Sequence, residues 1–188
     1  LLVGTIVALD LRVLGLGLVR LGEGGAPVFH RLLREYVRHR GGPEAREAVL
    51  DELQARVDST PVETLALLAL APLRPHLEEA LEWLGPGASA QRGWIPLRLA
   101  QHLRHRGEYA QAQSACERAL SWSPEPEWES YLLNEAGQAL ASQGRYGEAL
   151  EYHERSLAIK VKVLGEQHPD TASTLHAIGQ ALDRQGRS

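Results

Sequence analysis

The sequence predicts a mainly α protein: a partial winged-helix unit with a small β-hairpin, then a helical spacer, then an α-solenoid of stacked helical hairpins. Three observations carry this. The string Arg106-Gly107-Glu108-Tyr109-Ala110-Gln111-Ala112 returns as Gln143-Gly144-Arg145-Tyr146-Gly147-Glu148-Ala149 and begins again as Gln185-Gly186-Arg187. Apolar residues at helical spacing flank each copy. Near the N-terminus, two short segments with strand character surround a glycine-rich turn.

Residues 1–41 are read first. Thr5 to Leu14 is apolar enough for a buried helix. Leu18-Val19-Arg20-Leu21 alternates, Gly22-Glu23-Gly24-Gly25 turns, and Ala26-Pro27-Val28-Phe29 pairs back as a second strand. His30 to Arg40 then places Leu32, Leu33, Tyr36 and Val37 on one face, and Gly41-Gly42-Pro43 ends that helix. Helix, hairpin and helix in this order are the back half of a winged-helix domain. Residues 42–90 are read as a helical spacer, with Leu73 to Trp83 its clearest helical stretch.

Residues 91–188 hold the array. The opening helices carry Leu99, Ala100 and Leu103; Ala136, Gly137 and Leu140; and Ile178, Gly179 and Leu182. The returning helices carry Ala112, Cys116, Ala119 and Leu120, then Ala149, His153, Ser156 and Leu157. These spacings mark amphipathic helices. Gly107, Gly144 and Gly186 sit where the chain leaves one helix and turns, a position that favours left-handed backbone. Ala100, Gly137 and Gly179 are small so that a partner helix approaches closely. Tyr109 and Tyr146 open the returning helices and fill the space at the turn. A single hairpin cannot bury its apolar face, so hairpins stack. Two full hairpins and the opening helix of a third are expected. Trp83, Trp122 and Trp128 are read as packing residues, the last two flanking the Pro124/Pro126 connector.

This pattern resembles the tetratricopeptide repeat. Pro124 falls where that family ends its second helix. Leu164-Gly165-Glu166-Gln167-His168-Pro169-Asp170 resembles the extended repeats of kinesin light chains and nephrocystin-like proteins. The resemblance implies a protein or peptide ligand on the concave face. By helical phase that face takes Trp94, Gln101, Arg104 and His105 from the first repeat, Tyr131, Asn134 and Gln138 from the second, and His176 and Gln180 from the third. Asn134 matches the asparagine with which related repeats hold a peptide backbone, since an amide both donates and accepts.

The earlier segment resembles the winged-helix end of NB-ARC (STAND-type) signalling ATPases, through Leu16 to Leu21, the glycine-rich turn and Val28 to Arg34. In that family a Met-His-Asp-type motif sits here, and the matching residues are Phe29, His30 and Arg31. The resemblance implies that His30 contacts the β-phosphate of ADP in an intact chain, a role that suits an imidazole near neutral pH. Arg31 departs from the family's aspartate. No cofactor is expected within these residues, and ADP or ATP in an upstream nucleotide-binding domain.

Composition bounds the rest. The 188 residues carry a net charge of −4, with 44% hydrophobic and 23% charged residues. This balance gives no global attraction to nucleic acid or an anionic membrane. Direct nucleic-acid reading is not expected, because Thr5 to Leu14 offers only Arg12. No membrane association is expected, since Asp10 and Arg12 interrupt the opening apolar stretch. One cysteine, Cys116, excludes an intramolecular disulfide and multi-cysteine metal sites. It fits a cytoplasmic location. No metal site is expected: the eight histidines are scattered, and His102 and His105 are read as a solvated face. Gly22-Glu23-Gly24-Gly25 lacks the Lys-Ser/Thr pair of a P-loop, and its glutamate repels phosphate. No catalytic constellation is found, so an enzyme is not expected here. The chain has no methionine and opens on Leu1-Leu2-Val3; a piece cut from a larger protein is expected. Three functions fit: the sensor region of a STAND-type ATPase, a plain repeat scaffold, and a repeat-containing transcription regulator.

Overall fold

The computed structural model describes residues 19–21, 27–29, 50, 71, 74–84, 92–122 and 124–186. The chain divides into two units, 1–61 and 62–188. In the first unit, β1 (Val19–Leu21) and β2 (Pro27–Phe29) pair antiparallel, with Val19 opposite Phe29 and Leu21 opposite Pro27. The helices expected at Thr5–Leu14 and His30–Arg40 lie outside the described residues, as does most of the spacer.

The second unit contains six helices among the described residues. Helix α1 spans Arg74–Trp83, α2 Trp94–His105, α3 Tyr109–Leu120, α4 Pro126–Ser142, α5 Tyr146–Val163 and α6 Pro169–Gln185. Successive helices pack against one another, and α2 also meets α4. The α2–α3 and α4–α5 pairs are the two hairpins of the array, and α6 opens the third.

Each turn follows from backbone chemistry. Gly107 and Gly144 adopt φ of 81° and 79°, which an L side chain reaches only at a cost. The amide of Glu108 then donates to the carbonyl of Leu103, and that of Arg145 to the carbonyl of Leu140, at 2.9 and 3.0 Å. These bonds satisfy carbonyls that a helix end otherwise leaves orphaned. The longer connector after α5 closes differently. Gly165 takes φ of 94°, and the Thr171 hydroxyl donates to its carbonyl. His168 caps α6 by accepting from the Asp170 amide at 3.1 Å, with Pro169 at the first helical position.

The core follows the helical stripes. Leu77, Ala80 and Leu81 bury one side of α1, with Leu84 buried just beyond its end, and Leu99, Ala100 and Leu103 bury that of α2. Ala112, Ala115, Cys116 and Ala119 bury the inner face of α3; Leu132, Leu133, Ala136, Ala139 and Leu140 that of α4. Ala100 is fully buried, and a Cβ on Gly137 would stand 2.7 Å from His153 of α5, the close approach expected there. Gly179 has no such neighbour: a Cβ there would meet open space, because no described helix packs on that side of α6. Its buried residues are Thr171, Thr174 and Ala181.

Substituting Gly144→Ala tests the turn. The added methyl has free room, so the only penalty is left-handed backbone. A loss of about 1–2 kcal/mol in urea unfolding is expected; an unchanged midpoint would contradict the turn's conformation.

Candidate functional site: the concave face of the helical array

The face under consideration lies on α2, α4 and α6, the opening helix of each repeat. Trp94 is not available on it: only 6% of its surface is exposed. It lies at the start of α2, where Ile95 and Pro96 are buried with it. Gln101 is half-buried and accepts from Arg98 at 3.3 Å. Gln138 is half-buried. His176 and Gln180 are exposed on α6 and bond to each other at 3.0 Å.

Arg104 and His105 lie at the end of α2. Arg104 donates to Glu135 of α4 at 2.5 Å and approaches Nε2 of His105 at 3.4 Å. Glu135 is 4% exposed. Burial pushes its carboxyl pKa above the usual range, while the Arg104 guanidinium pulls it back. The pair joins the two opening helices, and it neutralises the arginine that the sequence offers as a groove contact. Burial, with help from Arg104 and His102, lowers the pKa of His105.

The second repeat is the most built-up. Tyr131 donates to the carboxylate of Asp170 at 2.6 Å. Burial first, and then this acceptor, push its phenol pKa up. Trp128 packs at 6.3 Å from the Tyr131 ring and lies against Gly93. The Asn134 Oδ1 bonds Nδ1 of His153 at 3.0 Å. His153 belongs to α5 and is 1% exposed. Further along α5, the Ser156 hydroxyl donates to the Ser130 carbonyl at 2.7 Å. Lys160, 2% exposed, donates to the Thr174 hydroxyl at 3.0 Å and the Asp170 carbonyl at 3.3 Å, with its ammonium 4.8 Å from the Tyr131 ring centre. Burial lowers the Lys160 pKa, and Asp170 opposes that.

The structure thus brings Tyr131, Asn134 and Gln138 together on α4 and ties two of them into the fold. His30 lies outside the described residues. A further expectation is corrected, beside those for Trp94 and Gly179. His102 is fully buried rather than on a solvated face, because it follows Leu99 by three residues and precedes Leu103 on the core side of α2. Trp122 and Trp128 are half-buried, with the Arg118 guanidinium 5.7 Å from the Trp122 ring. The side chain of Trp83 is not among those described. Sequence reasoning missed Glu135, Lys160 and the role of His153. A signal was present: His153, Ser156 and Lys160 continue the buried stripe of Ala149, and polar residues in that phase must find partners.

Among the described residues, no group of three or more His, Cys, Asp or Glu side chains could hold a metal ion. No described helix is long and apolar enough to cross a membrane. Stacked helical hairpins with left-handed glycine turns and a polar, aromatic inner row define a repeat scaffold of the protein-interaction kind. The tetratricopeptide repeat family matches residues 91–160 and 128–188. These matches together cover more than half of the chain, which belongs to that family. No curated protein matches it.

His153 gives this region a pH dependence of known sign. Burial, reinforced by Lys160, holds its pKa at about 4 rather than 6.5. Between those values the unfolded chain takes up a proton that the folded chain refuses. The stability is therefore complete above pH 6.5 and is lost as pH falls toward 4. Acidification should lower the urea midpoint more steeply in the native protein than in His153→Gln, by up to about 3 kcal/mol at pH 4. Equal losses in the two would contradict the burial of a neutral imidazole.

Proposed function

We propose that residues 91–188 are the protein- or peptide-binding sensor arm of a STAND-type (NB-ARC) ATPase, and that residues 1–41 close its winged-helix domain. The match to the tetratricopeptide repeat carries the binding half of this reading. Repeats of this class present their opening helices to a ligand. Here those helices leave Gln101, Gln138, His176 and Gln180 wholly or partly accessible. The nucleotide half is supported by order along the chain. The strands Val19–Leu21 and Pro27–Phe29 come just before His30, the helix Arg74–Trp83 comes later in the chain, and the repeats follow it.

In this reading the array binds and does not catalyse. The described residues provide no phosphate cradle, so ADP or ATP belongs to the upstream nucleotide-binding domain of the full-length chain, in the cytoplasm. His30 is the residue of this chain that would touch the nucleotide, donating from its imidazole to the β-phosphate. A ligand on the array shifts the switch only by the difference in its affinity for the off and on states. The groove must therefore change shape, or be uncovered, between them.

Nucleotide content tests the reading. Full-length protein purified without added nucleotide should carry ADP near one equivalent, and His30→Ala should retain at least tenfold less. Full-length protein that carries no adenine nucleotide would leave the array as a plain scaffold.

A further inference from the structure

The two complete hairpins differ in a coordinated way. Gly107 and Gly144 lie 37 residues apart, and that offset pairs their positions. Leu97 of α2 corresponds to Asn134 of α4, Ala100 to Gly137, Cys116 of α3 to His153 of α5, and Ala119 to Ser156. The first hairpin is apolar at all four positions. The second is polar at three, and at the fourth it loses a methyl.

The loss of the methyl has a geometric reason. A Cβ on Gly137 would stand 2.7 Å from Cε1 and 2.9 Å from Nδ1 of His153. Only glycine lets the imidazole lie against α4. Lying there, its Nδ1 reaches Oδ1 of Asn134, one turn earlier, at 3.0 Å. The opposite end of that amide, Nδ2, has no partner among the described residues and is not enclosed by them.

We propose that His153 is a positioning residue: it holds the Oδ1 of Asn134 so that the two Nδ2 protons face the concave surface, making Asn134 a donor-only contact for an acceptor such as a main-chain carbonyl of a bound chain. This rests on the groove reading above and specifies what that groove takes at Asn134. The proton count supports the orientation. At neutral pH the ring carries one proton, because burial holds the group neutral. A proton on Nδ1 meets Oδ1. A proton on Nε2 has no acceptor among the described residues and would set two lone pairs against each other at Nδ1. A freely turning amide both donates and accepts; a held one is selective. Leu97 and Cys116 supply neither function, so the first hairpin has no counterpart.

Nitrogen-15 NMR on the full chain tests this without a ligand. The imidazole of His153 should show a protonated, pyrrole-type Nδ1 and an unprotonated, pyridine-type Nε2 at neutral pH. The Asn134 side-chain amide protons should exchange with water at the rate of an exposed amide. His153→Gln, which can still donate, should leave the Asn134 amide shift close to native. His153→Leu, which fills the space without donating, should move it, and Gly137→Ala should move it by displacing the ring. A protonated Nε2 with an unprotonated Nδ1 in the native protein would overturn the proposal, as would an Asn134 shift that is indifferent to His153→Leu. The native tautomer alone decides if a variant fails to fold. A photo-crosslinker at Gln138 reports separately on whether the groove takes a chain at all, so failure of that reading is distinguishable from failure of this one.

Discussion

Helix α5 buries a histidine, a serine and a lysine in one stripe, and that constraint orders much of the array. A buried polar group without a partner costs several kcal/mol at worst, and a buried ammonium more. Each of the three must therefore meet a specific group on a neighbouring helix. His153 meets Asn134, Ser156 meets the Ser130 carbonyl, and Lys160 meets Thr174 and the Asp170 carbonyl. Apolar stripes tolerate sliding because any methylene substitutes for another. This seam does not: a shift of α4 along α5 by one residue would strand His153 and Ser156, and a shift of α6 would strand Lys160. The register between the second hairpin and α6 follows from these hydrogen bonds as much as from area buried.

The same pairing logic governs the concave face. Arg104 and Asn134 are the groove residues with the most directional chemistry, and both are already engaged. Glu135 takes the charge of Arg104, so the junction of α2 and α4 offers no strong field to an acidic ligand. His153 takes one end of Asn134. The remaining accessible groups, Gln101, Gln138, His176 and Gln180, are three amides and an imidazole. A face of this kind selects by hydrogen-bond geometry more than by charge, which affects specificity and association rate in opposite ways.

Much of this was legible in the sequence. The recurrent Gly-Glu-Tyr and Gly-Arg-Tyr strings located the turns because few residues other than glycine adopt left-handed backbone cheaply, and His168-Pro169-Asp170 marked the start of α6 because it caps it. The stripes located the helices. Pairings between helices were less legible. Nothing local in Asn134-Glu135-Ala136 says that Glu135 is buried against Arg104, 31 residues earlier, since a glutamate on an opening helix reads as solvated by composition. His102 was read as exposed from its arginine neighbours, although its phase with Leu99 and Leu103 places it inside. Lys160 was the easiest to overlook, because lysine is seldom fully buried unless paired. The comparison of hairpins at a 37-residue offset exposes the exchange of Leu97 and Cys116 for Asn134 and His153, a signal that single-helix patterns do not contain.

The seam's central role is tested most directly by the distance between α4 and α6. Spin labels at Ser142 and Arg184, both exposed, placed in a chain whose buried Cys116 is replaced by alanine, report that distance by pulsed electron resonance. The native seam should give one narrow distribution, and Lys160→Met, similar in length but without donors, should broaden or split it while the helices remain formed. A distribution as narrow and as centred in Lys160→Met as in the native chain would show that apolar packing alone sets the angle, and would contradict the account.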